Sequence, residues 1–564
     1  MCLTPDQQAV VEHAGNFLLI ACPGSGKTRT AAHRIARLSR EGRGVAACSY
    51  TNVGANHLQR MLDRDLHIVL GPRSYLSTFH GFLQRFVLYP FGHLLGATQG
   101  PHVRVGGGWP DVAIGKNTKR IGIEKFHFTT DGSLGIRQLP YYINESPEQV
   151  LEMVGNQVKA RKEGFFKAGA VSGDDAMWFA LRILREYPEL AAAVAGRFDE
   201  LLLDEAQDTS DLQIGCLQEL HKTGRLRSLV LIGDLEQSIY SFHGGGGESC
   251  RELAEQCGLS TVELGENHRS SQKLCDVAVH FCLREQPDKA VGPHADCQID
   301  PELIFYPSND PQQAMASFRI RLQEHGIEPA DAAVLTRRWK IAHAVAGIEP
   351  PIAVEERPLM LGRLVAAREE GTLAPSHLQS ARALLAYLAG DKHLDELTDI
   401  QHDAVRRQSY RLLADLPPLE GDLKSWVKRA RESVSACLGR LTETPAHKPG
   451  NAIRAGKGHG DHQALDIFSP PPPDISPQTV HAIKGEEREA LMMVVHRASA
   501  RDPTQQLAML EATAAEEELP DDEEQRVTFV AITRAQRYCL LALPDDERGR
   551  KVAAAFARLG FNQV

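Results

Sequence analysis

Residues 16–28 read Asn16-Phe17-Leu18-Leu19-Ile20-Ala21-Cys22-Pro23-Gly24-Ser25-Gly26-Lys27-Thr28. Five apolar residues in a row suit a strand buried on both faces, as in a parallel sheet. The small residues that follow form a turn. Beyond them, Arg29–Arg40 sets Ala32, Ile35, Ala36 and Leu38 on or near one face of a helix. Strand, glycine-rich turn and helix together make the setting that a phosphate-binding loop requires. Within the loop Pro23-Gly24-Ser25-Gly26, the backbone N–H groups of the three residues after the proline, with the helix N-terminus, would face phosphate oxygens. Lys27 would neutralise the β- and γ-phosphates, and Thr28 would ligate Mg²⁺. Ala21 stands where such loops usually begin with glycine. The bland alternative is a glycine-rich turn that holds nothing, and the strand–helix setting argues against it.

Similar apolar runs recur at Gly44–Tyr50, Asp199–Leu203, Ser228–Ile232, Ala332–Leu335 and Leu491–Val495. Strands that alternate with helical patterns predict an α/β fold with parallel sheets. Two stretches break the rhythm. Residues 86–197 hold a glycine-rich loop at Val105–Trp109 and helical patterns at Pro147–Lys162 and Asp174–Glu186. Residues 346–474 are helical at Leu361–Glu370, Ser376–Leu388 and Leu423–Cys437. They end in a Gly- and His-rich polar stretch, Lys448–Asp466, and a stiff tetraproline, Pro470–Pro473. His459 and His462 lack the Cys or carboxylate company of a metal site. The acidic run Glu516–Glu524 reads as a solvated loop that enters a helix.

At 564 residues and roughly 150 per domain, about four domains are expected. No stretch approaches the ~18 apolar residues of a membrane span. The first residues show no basic-then-apolar leader. The 11 Cys contain no C-x-x-C pair, so zinc and iron–sulfur sites are not expected and reduced thiols in cytoplasm are. Lys and Arg number 63 against 73 Asp and Glu, a net charge of −10. Nucleic-acid proteins usually carry the opposite balance, so DNA would have to be held in a groove and not over a basic surface.

A second chemical element is Leu201-Leu202-Leu203-Asp204-Glu205-Ala206-Gln207-Asp208. It places two acids at the carboxyl end of a strand, where doubly wound sheets bind ligands. Asp204 can hold Mg²⁺ through its waters, and Glu205 can take a proton from an attacking water.

These residues resemble the UvrD/Rep/PcrA group of superfamily 1A DNA helicases, along the whole chain and in the family's order. Leu3–Gln7 is similar to the Q motif and Cys22–Thr28 to motif I. Ser49-Tyr50-Thr51-Asn52 and Ser77-Thr78-Phe79-His80 are similar to motifs Ia and Ib, and Asp204–Asp208 to motif II. Gly233–Phe242 resembles motif III, Glu266–Ser270 motif IV, Thr479–Glu487 motif V and Phe529–Ala535 motif VI. The resemblance implies two RecA-like P-loop NTPase cores, each a parallel sheet with flanking helices and a mostly helical insertion. Core 1A would be 1–85 and 198–260, insertion 1B 86–197, core 2A 261–345 and 475–564, and insertion 2B 346–474. His243 and Lys484–Arg488 depart from the usual letters of motifs III and V.

The resemblance also implies roles. ATP with Mg²⁺ would lie between the cores. Gln7 would read adenine, His268 would stack on it and Glu487 would bind ribose. Gln237 would sense the γ-phosphate, with Arg269 and Arg534 as arginine fingers from the second core. Single-stranded DNA would touch Tyr50, Asn52, Thr78, His80, Tyr240, Phe242 and His481, with stacking on the aromatics. A core position for Phe242, or structural hydrogen bonds for His80 and His481, are the alternatives. The implied activity is a DNA-dependent ATPase that moves 3′→5′ as a translocase or helicase. Ala21–Thr28, Ser49–His57 and Thr78–Gly92 further resemble the UvrD-like subunit of Gabija-type phage-defence systems, which pairs with an OLD-family ATPase–TOPRIM nuclease. The other readings are a housekeeping repair helicase and a non-unwinding sensor that regulates a partner nuclease.

Overall fold

The structure, a computed structural model, describes residues 3–98, 102–104, 109–114, 119–136, 139, 143–238, 247–307, 310, 312–337, 339–346, 356–373, 375–390, 399–455, 462–468, 474–495 and 523–564. Tyr240, Phe242, His243, His459, Val105–Gly108 and Pro470–Pro473 lie outside the described residues, as does most of Glu516–Glu524. The chain divides into two compact units, Met1–Ala342 with Gln478–Val564, and His343–Pro477.

The first unit holds two six-stranded sheets. Strands β1 (Phe17–Ala21), β2 (Val45–Ser49), β3 (Tyr75–Thr78), β4 (Glu200–Asp204), β5 (Ser228–Gly233) and β6 (Ser260–Leu264) build the first, in the order β6-β1-β5-β4-β2-β3. Every neighbouring pair is parallel. The contiguous apolar runs follow from burial on both faces. Leu18, Cys48, Leu203 and Leu231 enter one apolar cluster, while Phe17, Leu19, Leu202 and Val230 enter another. Each such side chain contributes about 1.5–3 kcal/mol by leaving water. The register sets Asp204 opposite Ser49, Ser49 opposite Thr78, and Ile20 opposite Gly233. The carboxyl ends of five strands therefore align along one rim.

The second sheet uses β7 (Glu302–Tyr306), β8 (Ala332–Thr336), β9 (Ser476–Thr479), β10 (Arg488–Val494), β11 (Ala535–Pro544) and β12 (Asn562–Gln563). Their order is β9-β8-β10-β11-β7-β12. Its core gathers Leu303, Leu335, Leu491, Phe529, Leu541 and Phe556.

Segment 102–197 carries helices Pro147–Lys167, Gly173–Glu186 and Pro188–Ala195. It also carries three two-stranded ladders of three-residue strands. Such strands are too short to leave a period-two signal in the sequence. The unit His343–Pro477 is helical, with Leu364, Leu385, Leu412 and Trp426 in its core. Trp426 is fully buried, and its indole N–H donates to the Pro417 carbonyl at 3.3 Å.

Helix α1 (Pro5–Glu12) lies ahead of β1 and is tied to the first sheet by one buried cation. The Arg34 guanidinium forks onto Glu200 at 2.8 and 2.7 Å. It also donates to the carbonyls of Val10 and His13 near the end of α1, at 3.1 and 2.7 Å. Glu200 begins β4, so this contact fixes α1 over the sheet and brings Gln7 to the phosphate loop.

Candidate functional site: a phosphate loop closed by a second core

Thr4 caps α1 reciprocally with Gln7. The Thr4 N–H donates to Gln7 Oε1 at 3.1 Å, and the Gln7 N–H donates to Thr4 Oγ1 at 3.3 Å. With its oxygen so fixed, Gln7 Nε2 donates to the Ser25 carbonyl at 2.9 Å. Gln7 is buried and braces the loop. Gly24 and Gly26 adopt φ of 71° and 79°, which a side chain would strain. A Cβ on Gly26 would meet Gln7 Nε2 at 2.7 Å, and one on Gly24 would meet Asn267 Oδ1 at 2.5 Å and Arg269 Cβ at 2.7 Å. The His268 N–H donates to the Gly24 carbonyl at 3.0 Å. The second core thus rests directly on the loop of the first. Helix α2 (Lys27–Arg40) starts immediately after Gly26 and points its free N–H groups at the site.

The two acids stand at the end of β4. Asp204 is buried, and Thr28 Oγ1 donates to its Oδ2 at 3.3 Å. A hydroxyl beside a carboxylate is an oxygen donor set of the kind that Mg²⁺ takes, and these two residues would hold it. Among the described residues no group of three His, Cys, Asp or Glu could hold a metal unaided. Waters and phosphate oxygens would therefore complete the shell. Burial, and then the Glu205 charge, push the Asp204 carboxyl above its ordinary range. A cation there would relieve both causes. Glu205 sits at φ 57°, a left-handed conformation rare outside glycine. Burial raises its carboxyl as well, but Lys484 and then Lys27 more than offset this, and it ends below the usual range. Glu205 is oriented by an N–H from the Gln207 side chain.

Cations converge from the second core. Arg534 is buried and donates to Gln237 Oε1 at 2.5 Å. Among the described residues its Nε has no hydrogen-bond partner. Burial, followed by the Arg269 charge, presses this guanidinium down to about 9, so at neutral pH it remains a cation in need of an anion. Arg269 donates to the Thr533 carbonyl at 3.0 Å and to Glu487 Oε2 at 2.8 Å. Lys484 Nζ contacts Asp208 Oδ2 and the Gln237 carbonyl, the latter at 2.9 Å. Burial pushes the Asp208 carboxyl up to about 6, although Lys484 pulls it down.

One cavity of about 230 Å³ lies among these groups, and Gln7, His268 and Glu487 are not part of its lining. Gly24–Thr28, Asp204, Glu205, Asp208 and Gln237 line it from the first core, and Arg269, Lys484 and Arg534 from the second. The Ser25 hydroxyl is buried without a partner among the described residues. With the unpartnered Arg534 Nε and the bare Gly24–Gly26 cradle, it marks a site shaped for an anion. A second cavity, of about 580 Å³, is walled by Cys22, Arg251, Arg284 and Arg526 among others. It contains neither Lys27 nor the acid pair and is not the phosphate site.

The expected nucleic-acid residues are placed more loosely. Tyr50 and Asn52 follow β2, and Thr78 ends the adjacent β3. Thr78 Oγ1 accepts from the Gly81 N–H at 3.1 Å. His80 Nδ1 lies 3.0 Å from Gln213 Nε2, and burial lowers its imidazole. His481 lies beside Arg337 at 3.4 Å in the second core. Sequence reading singled out neither Lys484 nor Asp208 as site residues, though both lie inside motifs quoted above. Their only signal was charge, and their pairing spans 276 positions.

The profile of the UvrD/REP helicase N-terminal domain matches residues 3–100 and 136–257. A putative ATP-dependent DNA helicase of Bacillus subtilis, YjcD, is 23% identical over 626 residues, covering 97% of this chain and 79% of that protein. DNA helicase II of Escherichia coli is 25% identical over 291 residues, 48% of this chain and 39% of its own length. The PcrA helicase of Bacillus subtilis is 25% identical over 293 residues, 49% and 39% respectively. The matches to helicase II and PcrA thus span about two fifths of those proteins.

Proposed function

We propose that this chain, similar over its length to UvrD-type helicases, is a DNA-dependent ATPase of superfamily 1A that translocates 3′→5′ on single-stranded DNA. One observation carries the reading. Lys27, Asp204, Glu205 and Gln237 of one core share a single cavity with Arg269, Lys484 and Arg534 of the other. ATP would be its substrate. Lys27 and the loop N–H groups would hold the phosphates, and Thr28 with Asp204 would hold Mg²⁺. Bound there, the ion would neutralise charge on the phosphate oxygens.

Glu205 would accept the proton of the attacking water. The entering phosphates would occupy Lys27, Lys484 and both arginines, which frees Glu205 from their pull and raises its proton affinity in place. Arg269 would exchange Glu487 for the γ-phosphate, and Arg534 would add the anion that its Nε lacks. Because the arginines come from one core and the acids from the other, turnover requires closure. Repeated closure would advance the cores along a strand that crosses Tyr50, Asn52, Thr78, His80, Tyr240, Phe242 and His481.

The role in phage defence beside an OLD-family ATPase–TOPRIM nuclease rests on sequence resemblance alone. Co-purification with the product of the neighbouring gene tests it. No helix among the described residues is long and apolar enough to cross a membrane, and a cytoplasmic setting suits the reading. The activity itself is tested by ATP hydrolysis with and without single-stranded DNA, and by displacement of a strand from a 3′-tailed duplex. DNA should raise the rate, and less so as salt rises. A rate indifferent to every form of DNA would refute the translocase reading.

A further inference from the structure

Outside the cavity, the two cores are joined by a second polar contact. Asp234 follows β5, and its Oδ1 accepts the Glu236 N–H at 3.2 Å. It thereby caps the short turn Leu235–Gln237, which closes with the Gln237 N–H on the Asp234 carbonyl at 3.0 Å. Gln237 is the residue that meets Arg534 and, at 3.5 Å, the Thr533 hydroxyl. Asp234 is fully buried. The cation opposite it is Arg284 of the second core, whose Nη2 donates to Asp234 Oδ1 at 2.8 Å. The other arm of Arg284 donates to Asp288 Oδ1 at 2.6 Å. Its guanidinium lies 5.6 Å from the centre of the Phe529 ring. Beside it the Leu283 N–H donates to Glu236 Oε2 at 3.1 Å. Arg284 is thus anchored in the second core by Asp288 and Phe529, and it reaches across to the residue that shapes the Gln237 turn.

We propose that Arg284 is a positioning residue for ATP turnover, which by clasping Asp234 delivers the Gln237 turn to Arg534 when the cores close. The inference rests on the ATPase reading above and adds a residue to it. A guanidinium is suited to the task because it is always charged and bonds two carboxylates at once in a fixed plane. The clasp lies outside the nucleotide cavity, so its loss affects the geometry of closure and leaves the phosphate-holding groups in place. Nucleotide binding, carried by the loop of the first core, should therefore change little. The chemical step, which needs both cores aligned, should suffer.

The experiment compares steady-state ATP hydrolysis, in the presence of single-stranded DNA, by the full chain and by three variants checked by thermal melting. Arg284→Ala should lower kcat by roughly 5- to 150-fold, the range of ordinary coupling between sites, with KM for ATP within about twofold. Arg284→Lys keeps the charge and loses the fork, and it should recover part of the rate. Asp288→Asn spares the bond that crosses between cores and keeps an amide oxygen for the guanidinium, so it should lower kcat clearly less than Arg284→Ala does. It also serves if Arg284→Ala fails to fold, since Arg284→Lys with Asp288→Asn then makes the same comparison. An unchanged kcat in Arg284→Ala or Arg284→Lys, or an equal loss in Asp288→Asn, overturns the proposal while the ATPase reading stands. A parent protein that hydrolyses no ATP with any DNA overturns the reading, and the proposal falls with it.

Discussion

The two cores face each other with opposite chemistry. The first contributes the carboxylates of the cavity, Asp204, Glu205 and Asp208, together with Lys27 and Arg29, whereas the charged groups from the second, Arg269, Lys484 and Arg534, are all cations. Each half by itself is electrostatically unsettled. In the first, burial pushes Asp204 and Asp208 upward. In the second, burial and a like charge press Arg534 down. The difference teaches that the site is made by apposition: the anionic half can hold a metal ion, and the cationic half can stabilise charge that develops on phosphate.

The sharpest way to break this comparison is to remove one member from each half. Arg534→Ala should reduce kcat by about 10³-fold or more, as loss of an arginine finger does, with nucleotide binding largely kept. Glu205→Gln should reduce it by about 10²–10⁴-fold, the worth of a positioned base. Near-parental hydrolysis in a clean Glu205→Gln preparation would remove the base from the first core. A second test addresses the seam. Gly24→Ala places a methyl group against Asn267 and Arg269 and strains a left-handed residue by about 1–2 kcal/mol. It should raise KM for ATP and lower kcat together, as measured by steady-state kinetics. A change confined to KM would mean that the loop matters only within the first core.

The smallest effect concerns His80. Burial lowers its imidazole below the ordinary 6.5, so between the two values the unfolded chain binds the proton and the native one does not. Stability from this group is present above about pH 6.5 and is lost as pH falls through that region. His80→Asn should show a shallower acid-side fall in melting temperature than the parent. An equally steep fall would place the titration elsewhere.

Much of the first core was legible because its central strands are buried on both faces and so read as unbroken apolar runs. Phe17–Ala21 and Ser228–Gly233 show this directly. Strand β6 escaped because it is an edge, and Ser260, Thr261 and Glu263 are exposed in it. Tyr75–Thr78, Glu302–Tyr306 and Ala535–Pro544 escaped as well. The last of these begins Ala535-Gln536-Arg537, a polar entry that masks its apolar end. Within the site, Lys27, Thr28, Asp204 and Glu205 were legible because local order dictates their chemistry. Lys484 on Asp208 and Arg284 on Asp234 were not, since a partner 276 or 50 positions away leaves no local pattern.

The contact between Gly24 and the Asn267–Arg269 segment has a mechanical meaning. The cores touch at the phosphate loop itself, at a glycine that lets the backbones meet. A fulcrum set there gives both cores long lever arms. The small change at the loop when one phosphate leaves would be magnified toward the parts of both cores farthest from it. Geared in this way, a site that senses a single bond would turn its loss into a larger displacement between the cores without any large movement at the nucleotide.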